Sequence, residues 1–332
     1  MSGSSVHVQR AAGVEMIIAI DSTQRGPALG GCRWQAYSDS RAARGEAQYL
    51  AGSMTQKAAL AGLALGGGKA VVCGDPRQRT RDQLHAFGDF VASLDGRYVT
   101  AADMGTGEDE MAVIAEKTGH VVGLAAAAGG CGDPGPFTAL GVFMAIEAAL
   151  AQRGRSIGGS RCAVQGVGSV GGRVVRLLLD AGARVEAADP ELERLGSLPE
   201  GVEVVRPDEI LRRPCDVLVP CGPARVIGRE LAASLACSIV CGAANNTLAD
   251  ADAARILHQR GVLYVPDYLA NAGGLIHLAV ALEGGDPGAS RDRLRVIPEN
   301  LERVLAHCRD ERIDPVAAAD HLVADALSVE GA

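Results

Sequence analysis

Two lysines and one aspartate are the residues of this chain whose types and settings could do chemistry. Lys57 lies late in a helical pattern, Lys69 follows three consecutive glycines in LALGGGKAVV (residues 63–72), and Asp103 closes the run RYVTAAD. Glycine loses more conformational freedom on folding than any other residue. It is retained where the backbone must turn tightly or be approached closely. The segment therefore reads as a glycine turn with Lys69 at its mouth, leading into the strand KAVVCG. Such a lysine is either a solvated surface charge or an amine held at a fixed point for chemistry.

A second constellation lies farther on. GVGSVG places Gly166, Gly168 and Gly171 in G-x-G-x-x-G spacing, with Ser169 and Val170 between the last two. A strand, CAVQ, precedes it, and a helical run through RVVRLLLDAG follows. The next strand ends at Asp189, 23 residues after the first glycine. Glycines at that turn let a pyrophosphate approach a helix N-terminus, and the distant carboxylate accepts both ribose hydroxyls. An acidic group there repels a 2′-phosphate, and Pro190 and Glu191 follow with no arginine immediately beyond. The expected cofactor is NAD rather than NADP.

These groups need elements to hold them. EMIIAID, KAVVCG and RYVTAAD read as strands. Ser40 to Leu60, RDQLHAFGDFVASL and EDEMAVIAEKTG read as helices. The alternation is that of an α/β protein. A glycine- and proline-rich break, AAAAGGCGDPGPFTALG at residues 125–141, separates two halves. The second half reads strand–helix–strand around GVGSVG, with further strands at GVEVV, DVLVPCG, SIVCGAAN and VLYVPDY. The final 40 residues are helical. A length of 332 residues suits about two domains of roughly 150 each.

Composition narrows the class. The chain is 48% hydrophobic and 22% charged, a globular balance, and contains no apolar run long enough to span a membrane. Its first 15 residues lack the apolar core of a signal peptide. A net charge of −8 with scattered basic residues argues against a nucleic-acid surface. The nine cysteines form no C-x-x-C pair, so neither a metal site nor a disulfide framework is expected; they read as small buried hydrophobes in a reducing cytoplasm.

The chain resembles the glutamate, leucine, phenylalanine and valine dehydrogenase family. The resemblance runs through DSTQRGPALGGCR, MTQKAALAGLALGGGKAVV, GRYVTAADMGT, GDPGPFTALGV, QGVGSVGG, GAANNTLAD and VPDYLANAGGLI, in that order. It implies two α/β domains flanking a cleft. A catalytic and oligomerisation domain would span 1–136, rejoined by about 311–332, and a Rossmann-type NAD domain would span 137–310. It implies reversible oxidative deamination of an L-amino acid to a 2-oxo acid and ammonia, by a cytoplasmic homodimer or higher homo-oligomer.

Roles carry over by the same resemblance. Lys57 matches the lysine that holds the substrate carboxylate, Lys69 the catalytic lysine and Asp103 the proton-relaying aspartate. To activate water the Lys69 amine must be uncharged, a state favoured by burial and by the positive charges of Lys57 and NAD. Gly30 and Gly31 match a glycine pair that lets the carboxylate approach backbone. Thr138 and Asn246 match positions near nicotinamide and substrate. Ala243 and Asn245 match cofactor contacts, and Asn271 sits in the NAGG turn beneath the site. Leu29 stands where glutamate-specific members carry a lysine, and Ala101, Leu275 and Leu278 line the side-chain pocket. A buried carboxylate without a partner is unfavourable, so an apolar, branched-chain substrate is expected. Two rival readings stay open: a dehydrogenase of this fold acting on an aromatic or otherwise specialised amino acid, and a non-catalytic NAD-binding paralogue.

Overall fold

A computed structural model describes residues 4–128 and 130–328. The chain divides into two compact units.

The first unit opens with a hairpin, β1 (Ser5–Ala11) and β2 (Val14–Ile20). Ala12 and Gly13 turn between them with φ of 48° and 79°, the left-handed pair whose twist matches a two-residue hairpin. β3 (Ala28–Gln35), α1 (Ser40–Leu60), β4 (Gly66–Cys73), α2 (Arg81–Ala92), β5 (Tyr98–Ala102) and α3 (Glu108–Ala115) follow. The strands form one sheet in the order β1-β2-β4-β3-β5. α1 starts where Asp39 accepts the Ala42 N–H at 2.8 Å. Its small residues Ala43, Ala47 and Ala51 pack over Ile17, Ala19 and Val71 on one sheet face. The opposite face buries Met16, Ile18, Trp34, Phe87, Tyr98, Met111 and Ile114 under α2 and α3.

The three glycines before Lys69 are not a turn. They lie inside β4, and their function is close packing. A Cβ at Gly66 would lie 1.8 Å from the Ser22 carbonyl oxygen, one at Gly67 2.1 Å from the Thr55 amide nitrogen, and one at Gly68 2.8 Å from the Tyr98 ring. The chain just after β2, helix α1 and strand β5 all press on this strand, and only hydrogen fits in each direction.

The second unit contains α4 (Gly135–Ala151), β6 (Arg161–Gln165), α5 (Ser169–Asp180), β7 (Arg184–Ala188), α6 (Leu192–Gly196), β8 (Val202–Val204) and β9 (Val217–Pro220). α7 (Arg229–Ser234), β10 (Ile239–Val240), α8 (Ala251–Gln259), β11 (Leu263–Tyr264) and α9 (Asp267–Ala270) complete its alternation. The strands pair in parallel in the order β11-β10-β9-β6-β7-β8. This is the doubly wound order of dinucleotide-binding sheets, with its switch point between β6 and β9.

Four helices close the described residues: α10 (Gly273–Leu282), α11 (Pro287–Arg293), α12 (Val296–Glu311) and α13 (Pro315–Ser328). Here the boundaries expected from sequence need correction. Residues Leu275–Ser290 belong to the first unit, and the final return begins at Val323 instead of about 311. The contacts explain both shifts. His277 of α10 reaches the Cys131 carbonyl, and the side chains of Gln24 and Arg25 donate to the carbonyls of Leu327 and Ala326. The first half of α13 stays with the second unit, where Val316 packs into its core and Asp320 accepts from the Tyr268 hydroxyl at 2.8 Å.

Candidate active site

In the first unit the sheet register assembles a row of residues on the α1 face. Ala19 pairs with Lys69, and Gly31 pairs with Ala101. Cys32 pairs with Ala70, which sets Gly31 beside Lys69. One row on, Arg33 pairs with Val71, and Asp103 follows the pair Cys32–Ala102. Lys69 is buried, 7% exposed, and donates from Nζ to Asp103 Oδ2 at 2.5 Å. The same oxygen accepts from Arg33 Nε at 3.0 Å. Arg33 Nη1 in turn donates to Glu46 of α1. Burial alone would push the Asp103 carboxyl up. The Lys69 ammonium and the Arg33 guanidinium outweigh it and hold the group well below the usual carboxylate range.

Asp103 is fixed by its own loop. Thr106 Oγ1 accepts the Asp103 N–H at 3.0 Å and donates to the Cys32 carbonyl at 2.8 Å. Gly31 admits this arrangement, since a Cβ there would lie 2.8 Å from the Asp103 Cβ. Gly30 is needed for packing: its Cβ would fall 1.6 Å from the Gly68 carbonyl oxygen. Its own carbonyl accepts the buried Tyr98 hydroxyl at 2.5 Å.

Leu29, Ala101, Leu275 and Leu278 are all buried. Leu29 and Ala101 belong to β3 and β5 of this sheet, and Leu278 lies 3.6 Å from where a Gly123 Cβ would stand. Lys57 is half-buried in the last turn of α1.

The second unit builds a different site. Gly166 takes φ of +88°, and its Cβ would sit 2.8 Å from the backbone of Gly222 beyond β9. A Cβ at Gly171 would stand 2.0 Å from the Gly166 carbonyl oxygen, so the helix start packs directly on the turn. Gly168 differs: the nearest atom to its missing Cβ is Arg194 Nη1 at 3.9 Å. The space over Gly168, at the head of α5 with Ser169 and Val170, is clear for a ligand phosphate. Asp189, 3% exposed, accepts the Val167 and Glu191 N–H groups at 2.9 Å each. Burial pushes its carboxyl up, but those N–H groups and Arg194 hold it below its usual range.

Asn271 donates to the Ala243 carbonyl at 3.2 Å and to Asn245 Oδ1 at 3.0 Å. Among the described residues nothing hydrogen-bonds its own buried Oδ1, which is unfavourable unless a ligand donates to it. Asn246 adopts φ of 53°, and its carbonyl accepts the Arg225 N–H at 2.7 Å. Thr138 lies next to α10, its Cα 3.2 Å from where a Gly273 Cβ would be. The open glycine, the anchored carboxylate and the orphaned amide oxygen together fit a dinucleotide.

Comparison with known proteins bears on the chemistry. The Glu/Leu/Phe/Val dehydrogenase dimerisation domain matches residues 3–120. The Glutamate/Leucine/Phenylalanine/Valine dehydrogenase domain matches 129–191 and 187–286. The chain belongs to the Glu/Leu/Phe/Val dehydrogenase family. A leucine dehydrogenase from Bacillus subtilis is 38% identical over 95% of this chain and 88% of its own length. A valine dehydrogenase from Streptomyces albus is 39% identical over 94% and 88%. The crystal structure of L-tryptophan dehydrogenase from Nostoc punctiforme superposes with a TM-score of 0.83 at 33% identity, covering 99% of this chain and 96% of that one. Hetero-hexameric glutamate dehydrogenase from Thermus thermophilus, in its Leu-bound form, gives 0.81 at 25% identity, covering 99% and 88%. The protein is an amino-acid dehydrogenase, an oxidoreductase of this pyridine-nucleotide-dependent family.

Within this Glu/Leu/Phe/Val dehydrogenase, sequence reasoning missed three residues. Arg33 lies two residues past Gly31, the spacing that shares a strand face, but the glycine pair gives LGGCR no strand signal. Glu46 carries no local signal. Arg194 bears on the expectation that no arginine lies immediately beyond Pro190 and Glu191 to receive a 2′-phosphate: three residues past Glu191, its Nη1 lies 3.6 Å from Asp189 Oδ1 and its Nη2 2.9 Å from Glu191. It arrives from α6, one helical turn beyond the residues in direct sequence.

Proposed function

We propose that this enzyme catalyses the NAD-dependent, reversible oxidative deamination of an apolar L-amino acid, branched-chain substrates being favoured, to the 2-oxo acid and ammonia. The observation that carries the reading is the buried Lys69–Asp103 contact at 2.5 Å, set on a sheet face beside the apolar Leu29 and Ala101. The names of the leucine and valine relatives support the same substrate class.

In this reading the first unit works on the substrate. Lys57 binds the α-carboxylate, with backbone at Gly30 and Gly31 close by. NAD, when bound, supplies the acceptor for the hydride leaving the substrate Cα. Lys69, as the neutral amine, takes a proton from the water that adds to the resulting iminium carbon. Asp103, as the carboxylate, takes a proton from the substrate ammonium before the hydride leaves and returns it to the amine nitrogen of the carbinolamine; the departing ammonia then carries off the hydroxyl proton as ammonium when the carbonyl forms. Leu29, Ala101, Leu275 and Leu278 surround the apolar side chain. Gly166, Gly168, Ser169, Val170 and Gly171 would hold the pyrophosphate and Asp189 the adenosine ribose. Thr138, Ala243, Asn245 and Asn271 would hold the nicotinamide end, and Asn246 is assigned to both nicotinamide and substrate. The working protein is a cytoplasmic homo-oligomer; among the described residues no helix is long and apolar enough to cross a membrane.

The test is steady-state NAD reduction across the 20 amino acids. Valine, leucine or isoleucine should give the highest kcat/KM and glutamate a far lower one. One structural neighbour supports a second reading, an aromatic substrate, because the tryptophan dehydrogenase superposes over nearly the whole chain. Tryptophan or phenylalanine as the best substrate would establish that alternative.

A further inference from the structure

Asp103 Oδ2 is shared. Lys69 and Arg33 both donate to that one oxygen, while Glu46 holds the other arm of Arg33 and also accepts from Gln35 Nε2 at 3.3 Å. The chemistry proposed above uses Lys69 and Asp103 and leaves Arg33 without a part. Its guanidinium is nonetheless mostly buried, 15% exposed, and spans two carboxylates. An arginine is placed this way where a permanent charge with two separate donor arms is required, which lysine does not supply.

We propose that Arg33 is a positioning residue for the reaction: it keeps Asp103 ionised and in place while Lys69 turns from it to the substrate. The inference rests on the reading of Lys69 and Asp103 as the catalytic pair. A buried carboxylate with a single cationic partner takes up a proton when that partner moves away or gives up its charge. Arg33 does neither, because a guanidinium stays protonated throughout the working range. The groups facing Asp103 from each side leave this role to it. On β3 these are Arg33 and the Cys32 thiol, which burial and the Asp103 charge push up and keep neutral. On β4 there is Lys69, and on β5 the Tyr98 phenol, raised well above its usual range by burial. The Met104 N–H follows β5, and the α1 anion Glu46 is engaged by Arg33.

The sign follows. Arg33 and Lys69 depress the Asp103 ionisation, so removing Arg33 moves protonation of Asp103 to higher pH. An opposite charge this close is worth about one to three pH units. The experiment measures kcat and KM against pH for wild type, Arg33→Met, Arg33→Lys and Glu46→Gln. Thermal unfolding and NAD binding are recorded for each, and Lys69→Ala serves as a separate control. In Arg33→Met the acid limb of kcat should move up by about one to three pH units, with kcat recovering at alkaline pH and the NAD Kd unchanged. Arg33→Lys, which keeps the charge and loses the fork, should fall between the two. Glu46→Gln frees Arg33 for Asp103, so its limb should stay at the wild-type position or move lower.

A purely structural Arg33 would lower kcat equally at every pH, and that result would overturn the proposal. So would an Arg33→Met limb coincident with wild type, or an upward shift in Glu46→Gln. If Arg33→Met does not fold, Arg33→Lys decides: a wild-type profile there overturns the proposal. Wild-type kcat in Lys69→Ala would instead defeat the catalytic reading beneath it.

Discussion

Replacing Asp189 by serine should change cofactor choice by an amount the geometry bounds. Asp189 directly follows β7 with its carboxylate buried, and Arg194 Nη1 stands 3.6 Å from Oδ1. In the wild-type protein a 2′-phosphate would meet this carboxylate, and the guanidinium is already engaged by Asp189 and Glu191. Asp189→Ser removes the anion and releases part of Arg194. Two unit charges about 4 Å apart interact by about 1 kcal/mol in bulk water and about 4 kcal/mol at an effective dielectric of about 20. At roughly 1.4 kcal/mol per decade, the ratio of kcat/KM for NAD to that for NADP should fall by roughly fivefold to several hundredfold. Serine cannot replace both acceptor bonds to the Val167 and Glu191 N–H groups, so some stability is lost, about 1–3 kcal/mol. Kinetics with both cofactors, cofactor Kd by fluorescence and Tm separate the two effects. The double variant Asp189→Ser/Arg194→Ala should lose most of the gain with NADP. Equal efficiency with both cofactors in wild type, or an unchanged ratio in Asp189→Ser, would refute the assignment of Asp189 to the ribose.

Other changes read other parts of the molecule. Leu29→Lys places an ammonium in a buried apolar site, so kcat/KM for leucine and valine should fall at least about tenfold; steady-state kinetics check this, and unchanged values would remove Leu29 from the pocket. Lys57→Ala should mainly raise KM, since a carboxylate contact is present in ground and transition states alike, whereas Lys69→Ala should cut kcat by roughly 10²–10⁴-fold. Gly67→Ala forces a methyl to within 2.1 Å of the Thr55 amide nitrogen, and thermal unfolding should show a loss of about 1–3 kcal/mol or more. Asp216 is held low by Arg155, against burial and with help from the Arg161 N–H. Its stabilisation is therefore present above the unfolded carboxyl value near ~4 and lost as pH falls through the folded value. Asp216→Asn should lower Tm at pH 7 and flatten its decline below pH 4.

The fold was legible wherever one period dominated the sequence. Helix α1 falls where its pattern placed it, and the strand–glycine–helix unit at β6 and α5 has the order its spacing demands. β1 and β3 were harder. β1 alternates exposed and half-buried residues at the sheet edge, so no apolar run announces it. β3 carries two adjacent glycines, residues that propensity assigns to loops. Both are strands because neighbours complete them: β3 lies between β4 and β5, and its glycines are what permit that approach. The same cause hid the role of GGGK. A run of glycine reads locally as a turn, and only the carbonyl of Ser22, the backbone of Thr55 and the ring of Tyr98 reveal a strand hemmed in on every side.

The candidate site shows what local reasoning leaves out. Lys69 and Asp103 stood out because each closes or opens an apolar run, and such positions are visible along the chain. Arg33 and Glu46 enter through register: a strand period of two puts Arg33 on the Gly31 face, and the packing of α1 brings Glu46 to it. A reactive pair can be found one residue at a time, but the charge balance that governs it belongs to several elements at once. Asp103 receives Lys69 from β4 and Arg33 from β3, while α1 supplies the anion that holds Arg33. The glycines of β3 and β4 do not join in that chemistry. By admitting close approach between strands and helix, they set the distances at which it acts.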